Sequence, residues 1–396
     1  MRRRMLQAAR AEFTRMDPLS QGLLGACAAH AVAGHRLPRS AWLIGFVAGV
    51  VPDADIFIQP ANDPLGGLLW HRHFSHALLT VPLLGGVVAL AACAARSVRH
   101  VAGWTFAAAA AGVLTHGPLD AATSYGTLLY WPFSNGRVAW DVLPIIDLVV
   151  TLPMAIFLAA SVWRSWRAAK HSIAALPPLR GTRLVAALGV AWVVGYAALG
   201  AMQRERVLDV QERLAVERGH TIEADRRRAM PQPLSLLLWR SVYEHRDPRT
   251  GAVTIQWDLV RIPHWPYSLA VMGGPDAAVL EGVPIEKLTR DTLLARDDVD
   301  RAADDRIGAT FDRFAWFADD YTALSAERPL VVGDMRYAMG PESAPLWGLR
   351  VPTTGGAPDT TDDSLRMVHQ LGDSSARAQD LWDALKGTDP RLRPVP

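Results

Sequence analysis

The sequence predicts a multi-pass α-helical membrane bundle of about six helices, the first of them short, followed by a C-terminal α+β soluble domain. Three observations carry this. The 396-residue chain is 50% hydrophobic and 20% charged, but the charge is unevenly spread. Up to about Gln203 the chain is rich in Ala, Val, Leu, Gly and Trp, and beyond it the composition is that of an ordinary soluble protein. The apolar half breaks into stretches that approach the ~20 residues needed to cross a bilayer core. Histidines and aspartates recur beside three of those stretches, and ionisable groups at membrane depth mark functional sites by default.

The predicted membrane helices are 21–33, 41–58, 77–95, 101–119, 142–163 and 184–202. The first is short and carries His30, which alone would read as a buried or re-entrant helix. Trp104, Trp131, Trp140, Trp163, Trp166 and Trp192 fall near segment ends or in adjoining loops, where indoles anchor at the interface. Arg2, Arg3 and Arg4 precede Gln7, Arg10, Glu12 and Arg15 with no apolar run, which argues against a cleavable signal peptide. Cys27 and Cys93 lie in apolar helices and make no disulfide framework. A net charge of only +2 argues against a nucleic-acid partner.

Loop charge sets an expected orientation. Arg36, Arg39, Arg96, Arg99, Arg164, Arg167, Lys170, Arg180 and Arg183 fall on one side, and only Arg72 and Arg137 on the other. The positive-inside rule makes the first side cytoplasmic. The His and Asp motifs then face out of the cytoplasm, and so does the soluble half. Five arginines ahead of Asp17 run against this, and translation from Met16 would remove them. The expected division is therefore 1–15 as a tail that a start at Met16 would omit, 16–202 membrane domain, 203–354 soluble α+β domain, and 355–396 flexible tail with a short helix at 376–385.

Within the soluble half, 204–228 reads as a polar helix. Residues 234–243 and 252–261 read as strands around the turn Asp247-Pro248-Arg249-Thr250-Gly251. Residues 330–337 read as a further strand, and 285–295 and 312–317 as helices.

The chemistry concentrates in Pro52-Asp53-Ala54-Asp55, His71-Arg72-His73-Phe74-Ser75-His76 and His116-Gly117-Pro118-Leu119-Asp120. His116 and Asp120 are four apart, on one helix face. Asp53 and Asp55 follow Pro52 in an extended or turn conformation, and His71 and His76 straddle a helix start. Antiparallel helix ends bring the three pairs to one side. Imidazole with carboxylate is a ligand set for Zn, with Mn or Fe as alternatives. Asp53, His71, His76, His116 and Asp120 are thus the candidate ligands, and Asp55 and Arg72 the candidate catalytic residues. Arg72 suits an anionic substrate group, or else meets lipid headgroups. His30, His73 and Asp147 are additional candidates. A hydrogen-bonded core histidine is the alternative for His30, and a helix-dipole contact for Asp147. No organic-cofactor motif accompanies the metal set.

The order of these motifs, together with Met16-Asp17-Pro18-Leu19-Ser20-Gln21, Thr123-Ser124-Tyr125-Gly126-Thr127 and Pro132-Phe133-Ser134, resembles the bacterial membrane-bound metal-dependent hydrolases, the group named after the LexA-regulated inner-membrane hydrolase (YdjM-like). The resemblance covers roughly 16–152. It implies a multi-pass protein of the bacterial inner membrane with its metal site at the residues above. Members differ at Gln21, where some carry His, so the resemblance does not make it a ligand. Leu238-Trp239-Arg240 and Gly333-Asp334-Met335-Arg336-Tyr337 loosely resemble the extra domain of longer members. The expected function is a metal-dependent hydrolase working at the membrane interface on an ester or phosphoester, with membrane lipid as partner and a lipid or small molecule as substrate. The alternative is a non-catalytic metal-binding membrane protein or transporter whose soluble domain meets a partner.

Overall fold

The computed structural model describes residues 18–60, 62–171, 180–262, 277–299, 304–325, 330–337, 345–353, 365–369 and 374–395. The arginine-rich tail, Met16, His264 and most of the region from Gly355 to Leu371 lie outside the described residues. The chain divides into two units. The first comprises Met1–Gln59, Trp70–Gln203 and Pro231–Leu236, and the second Pro60–Leu69, Arg204–Met230 and Leu237–Pro396.

Unit 1 is helical. Its helices are α1 (Pro18–Ala33), α2 (Ala41–Val50), α3 (Val81–Cys93), α4 (Ala102–Ala121), α5 (Leu148–His171) and α6 (Arg180–Glu217), the last running on into unit 2. Two apolar stretches make shorter α-helices than predicted, Ala41–Val50 within 41–58 and Val81–Cys93 within 77–95. The predicted helix 41–58 stops at Val50, because Pro52 brings no N–H to an α-helical ladder. The chain tightens there into a 3-10 helix over Val51–Phe57, so Asp53 and Asp55 sit in a helical turn rather than an extended one. Among the described residues two helices are long and apolar enough to cross a membrane, Leu148–Ala168 and Gly181–Glu217. A third span results if the pair Gly66–His76 and Leu78–Cys93, bent by 58°, is taken as one. Among the described residues the bundle thus offers two to three candidate apolar spans, where the sequence suggests six.

The predicted start of the fifth helix at Val142 moves to Leu148. Pro144 delays it, and Asp147 caps it by accepting the Val149 N–H at 2.8 Å. Pro153 lies inside this helix and frees the Val149 carbonyl, four residues back, of its helical partner. That carbonyl accepts the Trp192 indole N–H of α6 at 2.8 Å. The core between α1, α2, α3 and α4 is built of small side chains, among them Ala29, Ala33, Ala48, Ala89, Ala108 and Ala109. Small residues let helix backbones approach closely in apolar bundles.

Unit 2 holds two antiparallel sheets. The larger runs β1 (Arg227–Pro231), β2 (Leu238–Arg246), β3 (Val253–Arg261), β4 (Ala278–Glu281) and β10 (Arg393–Pro394), with β5 (Ile285–Glu286) also on β3. The smaller runs β6 (Thr322–Leu324), β7 (Val331–Asp334), β8 (Trp347–Arg350) and β9 (Arg366–His369). Helices α7 (Arg290–Leu294), α8 (Asp304–Phe317) and α9 (Ser374–Lys386) complete it. Val242, Ile255, Trp257 and Tyr321 are fully buried in its core. The β2–β3 turn closes as expected, with the Gly251 N–H on the Asp247 carbonyl at 2.8 Å.

Three predicted elements of unit 2 differ. The helix expected over 204–228 is the end of α6 and stops at Glu217. Gly219, at φ +71°, provides the left-handed exit, and Arg227 begins a strand. Residues 285–295 split into β5 and α7, because Ile285 pairs with Ile255 while Thr289 starts a separate helix with a capping box. The strand over 330–337 ends at Asp334, and Met335–Tyr337 curl into a 3-10 turn.

Candidate metal centre

Two close helix contacts build the centre. An added Cβ on Gly112 of α4 would stand 2.6 Å from the Gly45 carbonyl of α2. An added Cβ on Gly117 would collide with the carbonyl of His76. Only glycine admits these approaches. They seat His116 of α4 against α2 on one side and against the His71–His76 segment on the other.

Four side chains then converge. One ligand atom from each of Asp53, His76, His116 and Asp120 lies within 4.8 Å of the other three. The two Nε2 atoms of His76 and His116 are 2.8 Å apart. Asp53 Oδ1 is 3.5 Å from each of them. Asp120 Oδ2 is 3.1 Å from His76 Nε2 and 3.7 Å from His116 Nε2.

The other ring nitrogens explain the convergence. His116 Nδ1 is 2.6 Å from the Gly49 carbonyl, which can only accept, so Nδ1 carries the hydrogen. The Ser75 hydroxyl donates to Asp55 Oδ2 at 2.6 Å, so its oxygen accepts from His76 Nδ1 at 2.9 Å. Asp55 Oδ2 lies a further 3.2 Å from that Nδ1. In their neutral form both rings keep their Nε2 lone pairs, and both lone pairs face the same point. This is how ligating histidines are usually oriented by a second layer of acceptors.

A divalent cation fits this set on three counts. Two imidazole nitrogens 2.8 Å apart must share either a proton or a cation between them. Buried Asp120 Oδ2 accepts no hydrogen bond. Five of the six ligand-to-ligand edges, at 2.8 to 3.7 Å, bracket the roughly 3.3 Å edge of a tetrahedron whose metal–ligand distances are about 2.0–2.1 Å, and the sixth, Asp53 to Asp120, is within 4.8 Å. Charge agrees. Among the described residues the only guanidinium paired with Asp53, Asp55 or Asp120 is that of Arg72, on Asp120, so neutral imidazoles would leave two negative charges to be balanced.

Residues 16–207 match the family described as YdjM inner membrane protein. This stretch of the chain belongs to that family. No curated protein and no solved structure matches the chain. The family and the apolar helices together place the protein in the inner membrane.

Around the four donors of this YdjM-family bundle, the remaining predicted residues take distinct places. Asp55 receives four donors: His71 Nδ1 at 2.9 Å, the Arg72 N–H at 3.0 Å, the Ser75 hydroxyl and His76. It organises the segment that presents His76. His71 is held by Asp55 outside the four-donor group, its ring centroid 5.9 Å from that of His76, and its buried Nε2 has no hydrogen-bond partner. Arg72 is fully buried at φ +61°, a left-handed conformation that is costly for a side chain of its size. Its Nε is 3.2 Å from Asp120 Oδ2, its Nη1 donates to Thr123 Oγ1 at 3.0 Å, and its guanidinium lies over the Tyr125 ring at 4.6 Å. An arginine so enclosed does not face lipid headgroups.

His30, His73 and Asp147 lie apart from the four donors. His30 is a core histidine, its Nε2 bonded to Ser165 Oγ of α5 at 3.0 Å. His73 is half-buried against Trp70 and Trp131. Asp147 caps α5 and accepts the Tyr196 hydroxyl of α6 at 2.6 Å. Gln21, set aside in the sequence, donates its amide to Asp120 Oδ1 at 2.6 Å and is fully buried. That bond fixes which carboxylate oxygen of Asp120 is left for the centre. The available signal was a lone amide in an apolar helix, which must find a partner.

Proposed function

We propose that this chain is a metal-dependent hydrolase of the inner membrane, acting at the membrane interface on an ester or phosphoester, with an amphiphile or lipid as substrate. The observation that carries the reading is the pair of tied-off Nδ1 atoms, which leaves two imidazole lone pairs and two carboxylate oxygens aimed at one point. Zn suits the His and Asp donors best, with Mn or Fe as alternatives. When bound, such a cation polarises a carbonyl or phosphoryl oxygen and lowers the pKa of water.

The protein's own residues supply the rest. Asp55 fixes the orientation of His76 and His71 at once. His71 Nε2, buried and without a partner, is placed to take up a proton from the attacking water, as a carboxylate-oriented imidazole does in other hydrolases. Arg72 Nη2, which carries two N–H donors, has no hydrogen-bond partner, and this fixed cation suits an anionic substrate group. Gln21 and Arg72 hold Asp120 from its two oxygens. The bundle is read as multi-pass, with residues after Gln203 outside the cytoplasm.

Metal analysis of the purified full chain tests this directly. About one or two divalent transition-metal ions per chain are expected, and His116→Ala should lose most of the metal while remaining in the membrane. Unchanged metal content by mass spectrometry in both His76→Ala and His116→Ala would remove the centre. Metal-loaded protein that turns over no member of a panel of carboxyl-ester and phosphoester amphiphiles would instead favour the non-catalytic metal-binding reading.

A further inference from the structure

The metal end of unit 1 carries aromatic side chains that are exposed among the described residues. Phe57 is 83% exposed and Phe133 84% exposed, and Tyr130 and Trp140 are also exposed. Each is fastened to a segment that bears a metal donor. Phe57 closes the same 3-10 turn that presents Asp53. The 128–133 loop is bonded to the His71–Leu78 segment at two places, through Leu128 N–H to the Arg72 carbonyl at 3.1 Å and Leu78 N–H to the Leu129 carbonyl at 3.0 Å. Trp131 in that loop packs against His73 and Phe74, with ring centroids 5.8 and 6.2 Å away. The Trp140 N–H donates to the carbonyl of Ala121, next to Asp120, at 2.7 Å.

The level of these residues along the bundle follows from the spans. Leu148–Ala168 has 21 residues, which at about 1.5 Å each covers the ~30 Å of a hydrocarbon core. Its first residue therefore marks one hydrocarbon boundary. Thr151, one turn in, bonds Ser20 of α1 at 2.6 Å, and the next residue, Gln21, bonds Asp120. The centre thus lies within about a turn of that boundary. Ile146, six residues on from Trp140, and Leu148 are exposed at the start of the span, as are Leu152 and Ile156 further along α5. Aromatic side chains with such exposure are costly in water and settle at headgroup level in a bilayer.

We propose that Phe57, Tyr130, Phe133 and Trp140 form a rim seated in the lipid headgroup region, so that a ligand reaches the metal centre from the bilayer leaflet. The occupant of this surface is lipid. Its continuity with the exposed face of a membrane span selects lipid over a protein partner. This inference rests on the membrane-spanning reading of α5 and is independent of whether the centre hydrolyses anything.

Spin labels measure the depth. The full chain, with Cys27→Ala and Cys93→Ala, is reconstituted in nanodiscs of phosphatidylethanolamine and phosphatidylglycerol. Phe57→Cys and Phe133→Cys each carry a nitroxide, and Thr250→Cys in the exposed β2–β3 turn gives the aqueous reference. Labels at 57 and 133 are expected to relax severalfold more with oxygen than with a water-soluble nickel chelate, relative to position 250. Equal accessibility to the nickel chelate at all three positions would overturn the proposal. So would labels at 57 and 133 that neither relaxant reaches, since protein would then cover the rim. Both sites are exposed, so the substitutions should fold, and retained metal content checks that they have. Loss of hydrolysis with the depth unchanged would count against the catalytic reading alone.

Discussion

A histidine in a mononuclear site holds its cation through one nitrogen, so the partner of the other nitrogen tells what the ring can do. His116 and His76 spend Nδ1 on an acceptor and keep Nε2 for the centre. His71 does the same on Asp55, but its Nε2 is left outside the group. Spacing alone shows none of this: the sequence marks Asp53, His71, His76, His116 and Asp120 alike, and places Asp55 in chemistry. The structure gathers four of the five and gives Asp55 the task of orienting rings. Gln21 is illegible for a related reason, since an amide bond across 99 residues leaves no local pattern. Arg72 yields the sharpest prediction at this scale. Its guanidinium is bound to Asp120 and Thr123 by two of its nitrogens. Arg72→Ala is expected to cost on the order of 3 kcal/mol, the loss typical of a broken buried ion pair. Metal should be retained, because Asp120 keeps its Gln21 bond and removal of a cation leaves the centre more negative. Turnover of an anionic substrate should fall at least tenfold, and Arg72→Lys should recover part of it, having charge without the planar fork. Full activity of Arg72→Ala on an anionic substrate would return the residue to a purely structural role.

Helices in this bundle are placed by what they lack. Glycine at 112 brings α4 against the carbonyl of Gly45 in α2, and His116, one turn on, thereby reaches the Gly49 carbonyl. A side chain at 112 must push the helices apart, since the nearest atoms are backbone or the Cβ of Ala48 at 2.8 Å. Gly112→Val is therefore expected to destabilise unit 1 by roughly 1–3 kcal/mol, the usual cost of overpacking. It should also lower metal occupancy without touching a donor. Gly103→Ala, where an added Cβ meets nothing within 4 Å, should alter neither and serves as the control. Metal content with a urea midpoint reads both effects, and full occupancy in Gly112→Val would break the link between packing and the centre. The same scale shows what a sequence carries well. The spacing of His116 and Asp120 on one helix face and the turn between β2 and β3 are local, and both were legible. Helix length was not. Apolar composition marks what can enter a membrane or a core, and Pro52 and the bend before Leu78 decide that two of the stretches stop short. Strand β5 was hidden because two residues carry no period, and their pairing with β3 is a tertiary event.

Across the whole chain the open question is which side of the membrane holds the metal end. The structure sharpens the charge count that bears on it. Of the two arginines assigned by sequence to the sparsely charged side, Arg72 is buried and paired with Asp120, so it is not a loop charge at all. At the opposite end, Arg183 donates to the Ala31 carbonyl at the far end of α1 at 2.6 Å, which puts the basic 180–183 segment at the level of Arg36 and Arg39. The positive-inside rule weighs short loops near span ends, and it predicts that end to be the cytoplasmic one. Helix α6 enters unit 1 there and reaches Gln203 at the metal end, where Gly200 packs on Val142 and the Gln203 amide meets the Leu236 carbonyl at 3.5 Å. Chain beyond Gln203 should therefore emerge outside the cytoplasm. Alkaline phosphatase fused after Gln203 should be active, and a reporter that works only in the cytoplasm, fused at the same place, should be silent. The paired fusion after Arg99, in the basic loop between α3 and α4, should give the reverse. If only the cytoplasmic reporter worked after Gln203, the metal centre would open toward the cytoplasm, and its substrate would have to be sought in the inner leaflet.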